Sequence, residues 1–197
     1  PPSVVVDLSE AAEPGWAAPE IDFRYPLVAK PDSSALYDHY TFPGKRKVYY
    51  LDDDRDLQNL WETLKAAGYP GKFVVQEFIP GDDTYKRTVS MYVDSHGDVT
   101  LKAAAQVLLE DPSPTMIGNP AAMISGDLPE LWEPAMKVLR ALDYRGFANF
   151  DLKVDPRNGV PYFFELNPRA GRSSYFIMAA GHNPIEIMVR DLVLHQR

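Results

Sequence analysis

Four side chains late in the sequence could do metal chemistry: Asn149, Asp151, Glu165 and Asn167. Grouped on one surface they form an all-oxygen donor set for a hard divalent cation, and two carboxylates plus a carbonyl oxygen suit Mg²⁺. Whether they share a surface depends on register. Ala148, Phe150, Leu152 and Val154 alternate with Asn149, Asp151 and Lys153, while Tyr162, Phe164 and Leu166 alternate with Phe163, Glu165 and Asn167. This is the period-two pattern of half-buried strands. Asp155-Pro-Arg-Asn-Gly159 between them is turn chemistry, and Gly159 can take the positive φ that closes a three-residue loop. With Arg157 to Gly159 as the loop, Pro156 faces Val160, Lys153 faces Phe163 and Asp151 faces Glu165. A two-residue Asn158-Gly159 loop would instead send Asp151 to the face opposite Glu165. Carboxylates directly opposed at about 4.5–5.5 Å between Cβ atoms repel, and a bound cation removes that repulsion. A solvated polar face on an ordinary hairpin fits the same residues.

Asp151, followed by Glu165-Leu-Asn167-Pro-Arg169, resembles the metal-binding signature of the ATP-grasp superfamily. The wider run from Gly146 through Gly171-Arg-Ser-Ser174 is similar to its D-aspartate ligase-like, carboxylate–amine ligase branch. The resemblance implies an α+β fold of two lobes with ATP in a cleft between them, a small lobe over 1–76 and a large lobe over 77–197. It implies ADP-forming ligation of a small carboxylate to an amine through an acyl phosphate, as in peptidoglycan or peptide synthesis. Asp151, Glu165 and Asn167 would hold Mg²⁺, or Mn²⁺. Arg169 would steady the transferring phosphoryl group, and Arg172 and Ser173 would face the carboxylate substrate.

The rest of the chain can be matched to that expectation. Tyr25 to Pro31 is a short apolar strand, and by resemblance Lys30 at its end reaches the nucleotide phosphates. Read without the resemblance, it is a lysine snorkelling at a strand edge. Phe42-Pro-Gly44-Lys45-Arg46-Lys47 is similar to a segment of the ligase branch; Lys45 and Lys47 could close over triphosphate, or simply decorate a solvated hairpin tip. Asp54 to Ala67 reads as an amphipathic helix with Leu57, Leu60, Trp61 and Leu64 inward and Gly68 as its stop. Lys72 to Asp83 resembles the adenine hinge: Gln76 near the amino group, backbone around Glu77, Phe78 and Ile79 at the adenine edge, and Asp83 on the ribose hydroxyls. An Asp in a Pro-Gly-Asp-Asp turn needs no such role. Residues 88–93 and 99–109 read as a hairpin from which Arg87 and Lys102 could reach phosphate or substrate. Residues 108–120 read as loop, and Leu128 to Leu142 as a helix capped by Asp127. A last helix, capped by Asn183-Pro184, reads as running on to the end of the chain.

Composition narrows the classes. A net charge of −8 argues against a nucleic-acid surface. The absence of cysteine leaves no disulfides and fits a cytoplasmic setting. No apolar run is long enough to span a membrane. The chain opens Pro1-Pro2, and the resemblance implies a further N-terminal domain of the same protein, so these 197 residues read as part of a longer ligase with little turnover alone. A nucleotide-binding regulatory or interaction module without ligase activity is the alternative.

Overall fold

The computed structural model describes residues 1–113 and 118–196, so the 114–117 part of the expected 108–120 loop lies outside the described residues. The chain divides into two compact units, Pro1–Ile79 and Pro80–Arg197.

The first unit contains β1 (Ser3–Asp7), β2 (Leu27–Pro31), α1 (Ser34–Asp38), β3 (Tyr49–Leu51), α2 (Asp54–Ala66) and β4 (Lys72–Glu77). Its strands form an antiparallel sheet in the order β1-β4-β2-β3. The Asp53 side chain caps α2 by accepting the Asp56 N–H, Asp54 and Asp56 sit in its positive first turn, and Gly68 follows it with φ 63°. Leu57, Leu60, Trp61 and Leu64 are buried with Val6, Leu27, Ala29, Phe73 and Val75 in one core. The chain between β1 and β2 forms neither helix nor strand, although Leu8 and Ala11 from it join that core.

The second unit contains β5 (Lys86–Val93), β6 (Val99–Glu110), β7 (Pro120–Gly126), α3 (Trp132–Ala141), β8 (Gly146–Val154), β9 (Pro161–Asn167), α4 (Tyr175–Ala179) and α5 (Pro184–Leu192). The antiparallel sheet runs β7-β6-β5-β8-β9. Val89, Met91, Ala104, Ala148, Phe150 and Leu152 pack with Leu131, Ala135 and Leu139 on the face covered by α3. On the other face, Tyr92, Leu101 and Phe147 meet Ile177 and Ile187 at one end only. Asp191 pins α5 there, accepting the Tyr92 hydroxyl at 2.8 Å and the Ser95 hydroxyl at 2.6 Å.

Three elements depart from the sequence reading. The expected helix from Leu128 begins as a 3-10 turn, Pro129–Leu131, and becomes α-helical only at Trp132. Pro134 has no N–H and tolerates only a first turn, so the α-helix starts late. Asp127 does not cap it; its carboxylate lies 3.3 Å from Trp132 Nε1. Of the 108–120 stretch expected as loop, residues 108–110 continue β6 and Pro120 opens the edge strand β7, and the last helix stops at Leu192.

Candidate active site

Strand pairing across β5, β8 and β9 builds one polar face in rows. Ser90, Asn149 and Asn167 stand side by side, next come Thr88, Asp151 and Glu165, and then Lys86, Lys153 and Tyr162. The Asp151 carboxylate lies between two amides, with Asn149 Nδ2 at 3.4 Å from one oxygen and Asn167 Nδ2 at 3.3 Å from the other. Arg169 Nη2 reaches Asn167 Oδ1 at 3.3 Å. These bonds are at the long end of the range.

Asp151 faces Glu165 by a different route from the one expected. The loop is four residues, Pro156 to Gly159, closed by Gly159 N–H on Asp155 O, with Val160 O accepting the Asp155 N–H. That sets Val154 opposite Pro161 and Lys153 opposite Tyr162, correcting the expected Pro156–Val160 and Lys153–Phe163 pairs. A register irregularity between Asp151 and Leu152 leaves Phe164 as an extra residue, a β-bulge, before Glu165. Phe163 therefore turns into the core, 5.4 Å from the Phe150 ring, rather than sharing a face with Glu165.

Beside Asp151 lies an open cavity of about 230 Å³ lined by Asp111, Asn119, Asn149, Asn167, Arg169 and Ser173 among others. Arg172 also lines it and reaches Asn119 Oδ1 at 3.4 Å. The structure thus brings Asp151, Asn167, Arg169, Arg172 and Ser173 together, with the exposed Glu165 on the rim strand. Arg87 and Lys102, expected to reach phosphate or substrate, are placed elsewhere. Arg87 pairs with Leu152 and Lys102 with Met91, so both lie on the α3 face, where Lys102 sits 5.9 Å above the Trp132 ring.

A charged cluster borders the third row. Lys86 lies 2.6 Å from a Glu110 carboxylate oxygen and 3.0 Å from Asp83, and Lys153 donates to Gly81 O at 2.6 Å. Asp83, expected on a ribose, is already engaged: the Glu110 N–H and then Lys86 hold its carboxyl below the usual carboxylate range. Burial, and then Lys86 opposite, lower the pKa of Lys153.

The remaining candidates belong to the first unit. Lys30 pairs with Val74, and Gln76 with Val28, on the sheet face turned away from the Ala29 and Val75 core side. The Glu77 and Phe78 N–H groups are taken by Pro2 O and Pro26 O, and Ile79 is buried. Lys45 is held within its own unit. Its ammonium folds back onto Tyr37 O (2.9 Å) and Tyr40 O (2.7 Å) and over the Tyr37 ring. Lys47 is exposed.

The model of the carbamoyl-phosphate synthase L chain, ATP binding domain, family matches residues 91–190, just over half of the chain and all of the β8–β9 hairpin. The chain belongs to the ATP-grasp superfamily. Over 99% of its length it is 33% identical to a D-aspartate ligase of Enterococcus faecium, of which it covers 46%. The ATP-grasp architecture recurs in solved structures. A biotin carboxylase of Campylobacter jejuni in complex with β,γ-ATP has a TM-score of 0.63 at 22% identity, over 85% of this chain and 37% of that one. An ATP complex of D-alanine–D-alanine ligase from Bacillus anthracis scores 0.60 at 17% identity, over 98% of this chain and 58% of that one. The chain spans less than half the length of the curated relatives it matches.

The donor set of this ATP-grasp hairpin fits a magnesium ion. Among the described residues no three His, Cys, Asp or Glu side chains cluster as a metal cage. A pair of carboxylates with an amide oxygen suits an ion that keeps several waters and shares phosphate oxygens with a nucleotide. Sequence reasoning missed Asn119, Asp111, Lys86 and Glu110. Lys86 was within reach, since it continues the alternation of Thr88 and Ser90. Asn119 and Asp111 flank a stretch whose local chemistry carries no such signal.

Proposed function

We propose that this chain carries the nucleotide and phosphoryl-transfer machinery of an ADP-forming carboxylate–amine ligase. The observation that carries the reading is the row of Asp151, Glu165 and Asn167 beside a cavity into which Arg169, Arg172 and Ser173 converge. Bound Mg²⁺, or Mn²⁺, would be held by Asp151, Glu165 and Asn167 and would supply charge neutralisation for the ATP phosphates. Arg169, freed from Asn167, stabilises negative charge on the transferring phosphoryl oxygens, and no protein nucleophile is needed. Arg172 and Ser173 orient the acid. Its carboxylate oxygen attacks the γ-phosphorus and ADP leaves; the amine nitrogen then attacks the acyl carbon, phosphate leaves, and the nitrogen loses a proton. Lys30 and Lys47 of the small lobe, 1–76, hold phosphates, and the Gln76–Ile79 hinge leading into the large lobe, 77–197, holds adenine. Lys153 and Lys86 secure the segment that follows the hinge.

The identity to a D-aspartate ligase over nearly the whole chain supports D-aspartate or a similar amino acid as a substrate. The greater length of the relatives supports acid and amine sites completed by chain outside these residues, an N-terminal domain among it. An ATP-consuming ligase of this kind fits the cytoplasm; no helix among the described residues is long and apolar enough to cross a membrane.

Calorimetric titration with Mg-ATP, followed by phosphate release and mass spectrometry over a panel of amino acids including D-aspartate, tests the reading. Mg-dependent ATP binding with acid-dependent phosphate release is expected. ATP binding without phosphate release under any acid would favour a nucleotide-sensing module, and no nucleotide binding would overturn both.

A further inference from the structure

Asn149 is buried, 5% exposed, between the metal pair and the basic loop. Its Oδ1 accepts the Ser90 hydroxyl at 2.8 Å and the Thr88 hydroxyl at 3.3 Å, and its Nδ2 points to Asp151 Oδ1 at 3.4 Å. Reversing the amide would set its oxygen against a carboxylate oxygen, two acceptors with no proton between them, so the carboxylate dictates the orientation. Gly171 presses on the same amide from the other side. A Cβ at Gly171 would lie 2.4 Å from Asn149 Oδ1 and 2.9 Å from its Cγ. Gly171 is itself buried and leads directly into Arg172 and Ser173.

We propose that Asn149 is a positioning residue. It aims the Asp151 carboxylate, and through the close approach of Gly171 it sets how near the Arg172–Ser173 loop stands to that carboxylate. The two hydroxyls of β5 hold the amide from behind, Gly171 leaves it no room to swing, and the amide passes both constraints to Asp151. An amide in this place orients without adding charge, which leaves the negative charge to Asp151 and Glu165. A side chain on residue 171 would drive the amide off Asp151 or lift the loop, because the two atoms it meets most closely belong to a buried, bonded group, with Ser174 Oγ next at 3.0 Å.

The inference rests on the proposed metal site, and Mn²⁺ affinity without turnover separates the two. Electron paramagnetic resonance of free Mn²⁺, titrated into the whole chain, is measured for the unaltered protein, Asn149→Ala, Gly171→Ala and the double variant, with melting curves alongside. Asn149→Ala and Gly171→Ala are each expected to weaken Mn²⁺ binding roughly tenfold, the scale seen when partners that orient metal ligands are removed. In the Asn149→Ala background the two closest obstacles to the added Cβ are gone and only Ser174 Oγ, at 3.0 Å, remains, so Gly171→Ala is expected to cost little more. Additive losses in the double variant, or Mn²⁺ affinity unchanged in a folded Asn149→Ala, overturn the proposal. A role confined to packing would lower the melting temperature and leave the affinity of the folded protein as it was. If Gly171→Ala does not fold, Ser90→Ala decides: releasing one hydroxyl from the amide is expected to weaken Mn²⁺ binding severalfold, and unchanged affinity overturns the proposal. Absence of Mn²⁺ binding in the unaltered chain overturns the metal reading, and this inference with it.

Discussion

On one face of the five-stranded sheet Val89, Met91, Ala148, Phe150 and Leu152 lie under α3, none more than 1% exposed. On the other, Thr88, Ser90, Asn149, Asp151 and Lys153 alternate with them along the same two strands. Backbone, pairing and temperature are common to both faces; only the parity of the residue differs. The apolar face is redundant in chemistry and exacting in volume. The polar face is the reverse: its buried groups are satisfied mostly by hydroxyls and amides, and its carboxylates stand opposed where repulsion works against folding. Stability and chemistry are thereby separated by a few ångströms, and substitutions on the two faces should separate in the same way.

The largest effect is expected from Phe150→Ala. The ring is 1% exposed and meets Phe163 edge-on at 5.4 Å, and such truncations cost about 3–5 kcal/mol. Urea denaturation should show that loss, and whatever folds should retain Mn²⁺ binding. A loss below about 1 kcal/mol would mean that α3 collapses onto the gap and that the apolar face is less exacting than argued.

Parity is also what made much of this unit legible in advance. The alternation around Asn149 and Asp151, with turn residues between two such runs, was enough to expect a hairpin with Asp151 opposite Glu165. The reason for that pairing was not legible. A four-residue loop alone would set Glu165 opposite Phe150, and the Phe164 bulge restores the pairing, a correction visible only once Phe163 has claimed its place in the core. Arg87 and Lys102 were misread because a charge on a strand does not announce its face. Their pairing with Leu152 and Met91 comes from tertiary register, and burial now pulls the Arg87 pKa down. The resting place of Lys45 was not legible either: the short helix α1, whose Tyr37 carbonyl accepts from its ammonium, has no periodicity long enough to recognise.

Asp191→Asn tests a carboxylate that serves packing rather than metal. Asp191 is 7% exposed and accepts from Tyr92 and Ser95, and the Ser95 hydroxyl bond leads in holding its pKa below the usual carboxylate value. A depressed folded value means the stabilisation is fully present above the unfolded value of about 3.9 and is lost as pH falls through the folded one. The variant should melt below the unaltered chain at pH 7, and the two should converge as pH drops from about 4 toward 2. A gap that stays constant would show that the charge of Asp191 contributes nothing.

Glu165→Gln should do the opposite of Asp191→Asn. Glu165 is exposed and faces Asp151, so neutralising it removes repulsion, and in metal-free buffer stability should stay within about 0.5 kcal/mol or rise slightly. Metal-dependent ATP binding should weaken sharply in calorimetry. A large fall in melting temperature without metal would place Glu165 with the structural carboxylates.

The smallest effect is expected from the change that looks most drastic, deletion of Phe164. This residue is the extra one in the bulge: Leu152 pairs with Phe163 on one side of it, and Asp151 with Glu165 on the other. Without it the ladder becomes regular, since Phe163 and Glu165 become consecutive and so point to opposite faces as they already do. Phe163 stays in the core, Asp151 still faces Glu165, and Asn149 still faces Asn167. Phe164 is 37% exposed, so the deletion forfeits less burial than the loss of a core ring such as Phe150. Melting temperature should change only modestly, and Mn²⁺ affinity should stay within about 0.5 kcal/mol of the unaltered chain. Deleting Phe163 instead pulls the neighbouring Phe164 into the core position and tests volume rather than register. If deletion of Phe164 abolishes Mn²⁺ binding in a chain that still melts cooperatively, the added twist of the bulge aims the Glu165 carboxylate, and pairing parity alone does not make the site.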